Sequence, residues 1–268
     1  MPEILLSEIL IYLITGAFVG FAAGLLGIGG GLIIVPVLTL VFSFHLVETQ
    51  PIVHLAIGTS LATILITSLS SVRAHHALNN VRWDIMKLLF IGVLLGAFLG
   101  GWGSQFFDSR TLGILFGVLE LFIAINMLLA LKPSPHRALP GLPENTLAGI
   151  IIGSLSSLVG IGGGTLTTPY LVWNNVSMRQ AIATSAAVSL PVALAGTIGF
   201  LMAGMNANNL PDYATGYIYW PAFFGIVFSS VLTAPLGAKC VSKVSIKLLK
   251  RFFGGILLIL AAKMLIFS

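Results

Sequence analysis

Charge is what this chain has least of. Only 8% of its 268 residues are Asp, Glu, Lys or Arg, where a water-soluble domain carries about a quarter. With 57% hydrophobic residues and a mean hydropathy of +1.05, a hydrated globular surface is excluded. Several apolar runs reach the roughly 20 residues that cross a bilayer. The chain has one cysteine, Cys240, so no internal disulfide can form, and no Cys/His cluster has zinc spacing. Period-two alternation is missing, which argues against a β-barrel. The start, MPEILLSE, has no basic residue, so it lacks the n-region of a signal peptide and the first apolar segment is expected to be retained. No Gly-Lys-Ser/Thr follows a glycine run and no βαβ pattern surrounds one, which excludes a nucleotide site and an ATP-driven pump. No cofactor or metal is expected.

The few charges still carry information. Thirteen Lys and Arg against eight Asp and Glu give a net +5. They sit in short loops rather than in an arm or stripe, as orientation signals do, so no nucleic-acid partner is expected. The expected class is all-α, a polytopic helical membrane protein.

Glycine, by contrast, is abundant and placed twice in the same way. GLLGIGGGLIIVP (24–36) returns as SLVGIGGGTLTTP (157–169). Gly20, Gly27, Gly29, Gly30, Gly31 and Pro36 recur 133 positions later, and AIGTS (56–60) recurs as AIATS (181–185). Trp83, Ala97 and Gly100 recur 137 positions later as Trp220, Ala234 and Gly237. The order is kept, so the chain reads as two homologous transmembrane repeats, 1–132 and 145–268, joined by a proline-rich linker over 133–144. Each repeat opens with a glycine-interrupted segment, 9–42 or 146–173, followed by three apolar segments.

Lys and Arg then test how the broken segments are threaded. If each crosses the membrane once, the cations divide 6 to 7 between the two sides. If each enters and returns, the division is 11 to 2, with only Arg110 and Lys263 on the minority side. The positive-inside rule selects the second threading. Each repeat then makes an odd number of crossings, which predicts halves of opposite orientation, both termini extracytoplasmic, and a site near the midplane between broken helices.

Glycines four apart, Gly16/Gly20/Gly24 and Gly92/Gly96/Gly100, suit helix packing, within the chain or between copies of it, so a homo-oligomer stays open. Three adjacent glycines point around a helix and cannot serve one face. They predict a break, and the helix restarting after it presents free N–H groups and a positive dipole end, which suits an anion. The candidate substrate-binding residues are therefore Gly27, Gly29, Gly30, Gly31, Gly160, Gly162, Gly163, Gly164 and Thr165, with the repeated hydroxyl pairs Thr59/Ser60 and Thr184/Ser185. The bland reading of any one hydroxyl is a bond back to its own helix.

Three further residues are candidates for gating or coupling. Glu120 lies deep in an apolar segment, where a carboxylate is costly; it could carry protons or pair with Arg110 or a histidine. His54 starts the helix of Thr59 and Ser60, with an interfacial or capping role as the plainer reading. Arg179 directly precedes AIATS and could draw anions to the cytoplasmic mouth.

The motif G-x-x-G-x-G-G-G-x-x-x-x-P, the AIGTS helix start and HHALNNVRWD before the next span together resemble the TauE/SafE-type sulfite exporter family, over essentially the whole chain. The resemblance implies transport of small sulfur-containing anions such as sulfite, sulfoacetate or other organosulfonates, with export as the direction. It also implies a bacterial-type plasma (inner) membrane and a site at the glycine loops 27–31 and 160–164 and the Thr-Ser pairs. Ala183 standing where the first repeat has Gly58 is a departure. The expectation is a secondary transporter working by alternating access, with an anion channel or uniporter as the alternative. No enzyme is expected, because no nucleophile and base, or paired acids, recur at membrane depth.

Overall fold

The computed structural model describes residues 2–26, 29–45, 51–129, 139–207, 209–240 and 246–267. Among these, ten α-helices account for nearly the whole chain. They are α1 (Pro2–Leu26), α2 (Gly31–His45), α3 (Ile52–Ala77), α4 (Trp83–Gly103) and α5 (Ser109–Leu128), then α6 (Leu142–Leu158), α7 (Gly164–Trp173), α8 (Met178–Gly204), α9 (Trp220–Cys240) and α10 (Ile246–Phe267). Six of the described helices are long and apolar enough to cross a membrane. The exposed surface is itself apolar, with Phe44, Ile91, Phe122, Phe228 and Ile259 all more than 60% exposed. Bilayer lipid, unlike water, solvates such a surface without cost. The chain is an all-α polytopic membrane protein.

Both glycine-interrupted segments are helical hairpins. In the second, the Tyr170 hydroxyl near the end of α7 donates to Asn145 Oδ1 near the start of α6, at 2.8 Å, so α7 runs back along α6. In the first, Phe42 near the end of α2 meets the ring of Tyr219, just before α9, edge-on, and a Cβ on Gly225 in the second turn of α9 would strike Tyr12 in the first half of α1. The returning helices are short. At about 1.5 Å per residue, α2 spans about 22 Å and α7 about 15 Å, less than the roughly 30 Å hydrocarbon core.

Packing pairs helices of the N-terminal half of the chain with helices of the C-terminal half. α1 packs along α9 and α6 packs along α4, while α3 pairs with α8 and α5 with α10. The glycine faces make the first two pairs close. A Cβ on Gly16, Gly20 or Gly24 would strike the backbone of Ile226, Ser230 or Ala234, and one on Gly92, Gly96 or Gly100 that of Thr146, Ile150 or Ser154. Small residues let the backbones touch, as packing between membrane helices requires. α3 and α8 run antiparallel through the centre. The start of α3 at Gly58 and the end of α8 at Gly204 both abut Tyr217.

Between α8 and α9 the chain forms a two-residue antiparallel ladder, β1 (Ala214–Thr215) with β2 (Ile218–Tyr219). Its Trp220 Nε1 donates to Thr215 Oγ1 at 3.0 Å.

Candidate functional site

The two glycine loops meet in the middle of the molecule. A Cβ on Gly29 would lie 3.0 Å from the Cα of Gly162, and one on Gly31 would strike the carbonyl oxygen of Gly160. Ile64, midway along α3, is a neighbour of Gly29, Gly31 and Gly162, and Ser189, midway along α8, is 3.3 Å from the Gly162 position. Gly27 lies outside the described residues. Gly29, Gly30, Gly31, Gly160, Gly162, Gly163 and Gly164 are all buried.

Backbone geometry explains why glycine recurs here. The repeat-equivalent Gly30 and Gly163 have φ of +85° and +69°, a left-handed region costing a residue with a Cβ roughly 1–2 kcal/mol. Each is also crowded, Gly30 by the Val19 side chain and Gly163 by that of Val192. The second loop is tightly turned. Gly163 N–H donates to Ile161 O and Gly164 N–H to Gly162 O, while Thr167 N–H reaches Gly163 O. The first N–H groups of a helix have no intrahelical acceptor, and in α7 these include Thr165 and Leu166. In α2, Ile33 and Ile34 both donate to Gly30 O.

Thr165 adds a side chain to this junction. It is 9% exposed, and its buried Oγ1 has no hydrogen-bond partner among the described residues. Its neighbours behave differently. Thr167 and Thr168 donate to Gly163 O and Gly164 O of their own helix, as the bland reading has it. Ser60 Oγ donates across the repeats to Gly160 O at 3.0 Å. Ser185 Oγ lies 2.8 Å from Thr168 Oγ1 and 2.9 Å from Ile182 O.

Thr59 and Thr184 have matching partners that sequence reasoning did not anticipate. Thr59 Oγ1 accepts the N–H of Tyr219 at 2.9 Å, and Thr184 Oγ1 accepts the N–H of Arg82 at 3.0 Å. Tyr219 and Arg82 are the residues directly before the repeat-equivalent Trp220 and Trp83. Thr59 therefore holds the start of α9 and Thr184 the start of α4. The advance signal was the recurrence, in the same order, of both threonines 125 positions apart and both tryptophans 137 positions apart.

The remaining candidates lie apart from the loops. His54 is buried, with Nε2 3.2 Å from Ser104 O and Nδ1 3.3 Å from Ser109 Oγ, and its ring packs 4.8 Å from that of Tyr217. It pins the turn between α4 and α5 to the start of α3. Arg179 is exposed at the second position of α8. Glu120 is fully buried, and neither carboxylate oxygen has a hydrogen-bond partner among the described residues. The suggested pairing with Arg110 is therefore not made. Ten residues along one helix separate the two by about 15 Å. His75, another buried histidine, has its Nε2 3.1 Å from Gly24 O instead.

Comparison with known proteins agrees on the class. A family model described as "Sulfite exporter TauE/SafE" matches residues 12–264. A protein of Haemophilus influenzae named "Probable membrane transporter protein" is 35% identical over 257 residues, covering 96% of this chain and 97% of its own length. A Methanocaldococcus jannaschii protein of the same description is 30% identical, covering 95% and 94%. One from Bacillus subtilis is 28% identical over 72% of this chain. No solved structure matches.

Proposed function

The chain belongs to the TauE/SafE sulfite exporter family, and on that premise we propose that this membrane transporter is a secondary carrier for small sulfur-containing oxyanions, sulfite or short organosulfonates. The observation that carries the reading is the contact of the two glycine loops, Gly29 on Gly162 and Gly31 on Gly160. Each loop feeds a helix N-terminus, and two such ends at one point favour a negative ligand. The unpartnered Thr165 hydroxyl supplies a donor beside them. Ser60 and Ser185 steady the loop and its returning helix. We assign Thr59 and Thr184 to the same region as the joints by which one repeat holds the other.

The antiparallel α3/α8 pair and the packing of N-terminal on C-terminal helices support halves of opposite orientation, the build in which a central site is alternately exposed by rocking one bundle against the other. Export is the direction the family suggests, and a cytoplasm-negative potential favours it for an anion. The molecule is set in a bacterial-type inner membrane with both termini outside. Arg179 guides anions at the cytoplasmic mouth, and Glu120 is the acid we assign to proton coupling. No cofactor enters the reading.

Proteoliposomes loaded with sulfite, sulfoacetate or taurine test it. Saturable efflux of one of these at carrier rates is the expected result. Single-channel currents would instead establish the anion channel, and no flux of any of the three would sink the substrate class. A Glu120→Gln variant still driven by an imposed proton gradient would remove Glu120 from coupling.

A further inference from the structure

The two cations that the threading separates from all the others line one pocket. Arg110, at the start of α5, and Lys263, near the end of α10, come from different repeats and share a cavity of about 410 Å³ with Thr39, Ser43, Ser109 and a set of apolar side chains that includes Pro36 and Phe44. That volume suits a small organic ligand, since such sites span roughly 300–1,000 Å³. Cations beside hydrocarbon are costly unless something compensates them. Among the described residues neither takes part in an ion pair; the one described is Arg82–Asp84, elsewhere in the fold. Asp108 is the acid that faces Arg110. It is exposed, caps α5 by accepting the N–H of Thr111 at 3.1 Å, and is held below the usual carboxylate range by its Thr111 hydrogen bonds. It therefore offsets Arg110 only from outside the cavity. Thr39 Oγ1 is buried with no hydrogen-bond partner, and the positive end of the α5 dipole adds to the two charges.

The lining is mixed. It holds two cations and the hydroxyls of Thr39, Ser43 and Ser109, together with the apolar side chains of Pro36, Leu40, Phe44, Ile52, Val53 and Met264. Pro36 stands about 7.5 Å along α2 from Gly31, the first residue after the loop. The lining thus follows α2 from Phe44 to Pro36, towards the central junction.

We propose that this pocket is a second anion site, taking an oxyanion headgroup on Arg110 and Lys263 and a short apolar tail against Phe44 and Pro36. Its position as an outer vestibule rests on the transport reading above; the binding chemistry does not. The shared chemistry could come from a transported alkylsulfonate or from a lipid phosphate.

Calorimetry on the full chain in zwitterionic-lipid nanodiscs, with hexanesulfonate as probe, tests this. Saturable binding is expected, weakened about tenfold or more in Arg110→Gln/Lys263→Gln, a loss of more than about 1.4 kcal/mol. Ser43→Trp keeps both charges and fills the cavity, and should block binding too, which guards against a poorly folded double variant. Competition by phosphatidylglycerol in the nanodisc would identify a lipid headgroup as the natural occupant of the same site. Equal binding by wild type and both variants, or no saturable binding to wild type, overturns the site. If Thr165→Val abolishes binding and the pocket variants do not, the glycine loops hold the probe and only the transport reading stands. Pocket binding without sulfonate flux would have the opposite meaning.

Discussion

At the scale of single residues, the site depends on groups whose ordinary partners are absent. Thr165 is the clearest. A buried hydroxyl with no acceptor or donor costs about 1–3 kcal/mol unless a ligand or water satisfies it. Thr165→Val keeps the shape and removes the hydroxyl. It should leave thermal stability unchanged or slightly raised while weakening substrate affinity about fivefold to tenfold, read as a rise in KM for efflux. Unchanged KM would remove Thr165 from the site. Gly163 acts through the backbone. Gly163→Ala must adopt φ near +69° and meet Val192 at 2.7 Å, so it should lower the melting temperature as well as flux, with the left-handed cost alone about 1–2 kcal/mol. A larger residue at Gly30 or Gly163 would confuse folding with binding, which makes Thr165 the better probe.

At the scale of elements, much was legible in the sequence and some was not. The triple glycine announced both breaks because no helix face can use three adjacent glycines. The spaced glycines announced the α1/α9 and α4/α6 contacts as packing faces, although not which helices would pair. Trp83 and Trp220 marked the starts of α4 and α9. Hydroxyl partners were not legible, since a threonine in an apolar run bonds back to its own helix as readily as outward. Thr63 and Thr67 do the first, to Thr59 O and Thr63 O, and Thr59 the second. The Asn145–Tyr170 bond that closes the second hairpin, and the cavity between Arg110 and Lys263, join residues whose proximity exists only after folding. The cross-repeat caps are testable as a pair. Thr59→Val strands the buried N–H of Tyr219 and should cost about 1–3 kcal/mol, and Thr184→Val strands the partly buried N–H of Arg82 and should cost less, each lowering the melting temperature. Combined, they should add, because they act at opposite ends of the α3/α8 pair. Two variants as stable as wild type would reduce these bonds to incidental contacts.

At the scale of the whole molecule, the account is one of two hairpins entering from opposite faces and touching at their tips. We propose this arrangement on three grounds: the division of eleven cations against two, the antiparallel central helices α3 and α8, and returning helices short enough to bring the glycine loops together. Cysteine accessibility in intact cells tests this most directly. In a Cys240→Ser background, cysteines at the exposed positions Leu78, just after α3, and Met205, just after α8, mark equivalent ends of the two repeats. A membrane-impermeant maleimide is predicted to label Met205→Cys in intact cells and Leu78→Cys only after the membrane is opened. Labelling of both from the same face would contradict the account.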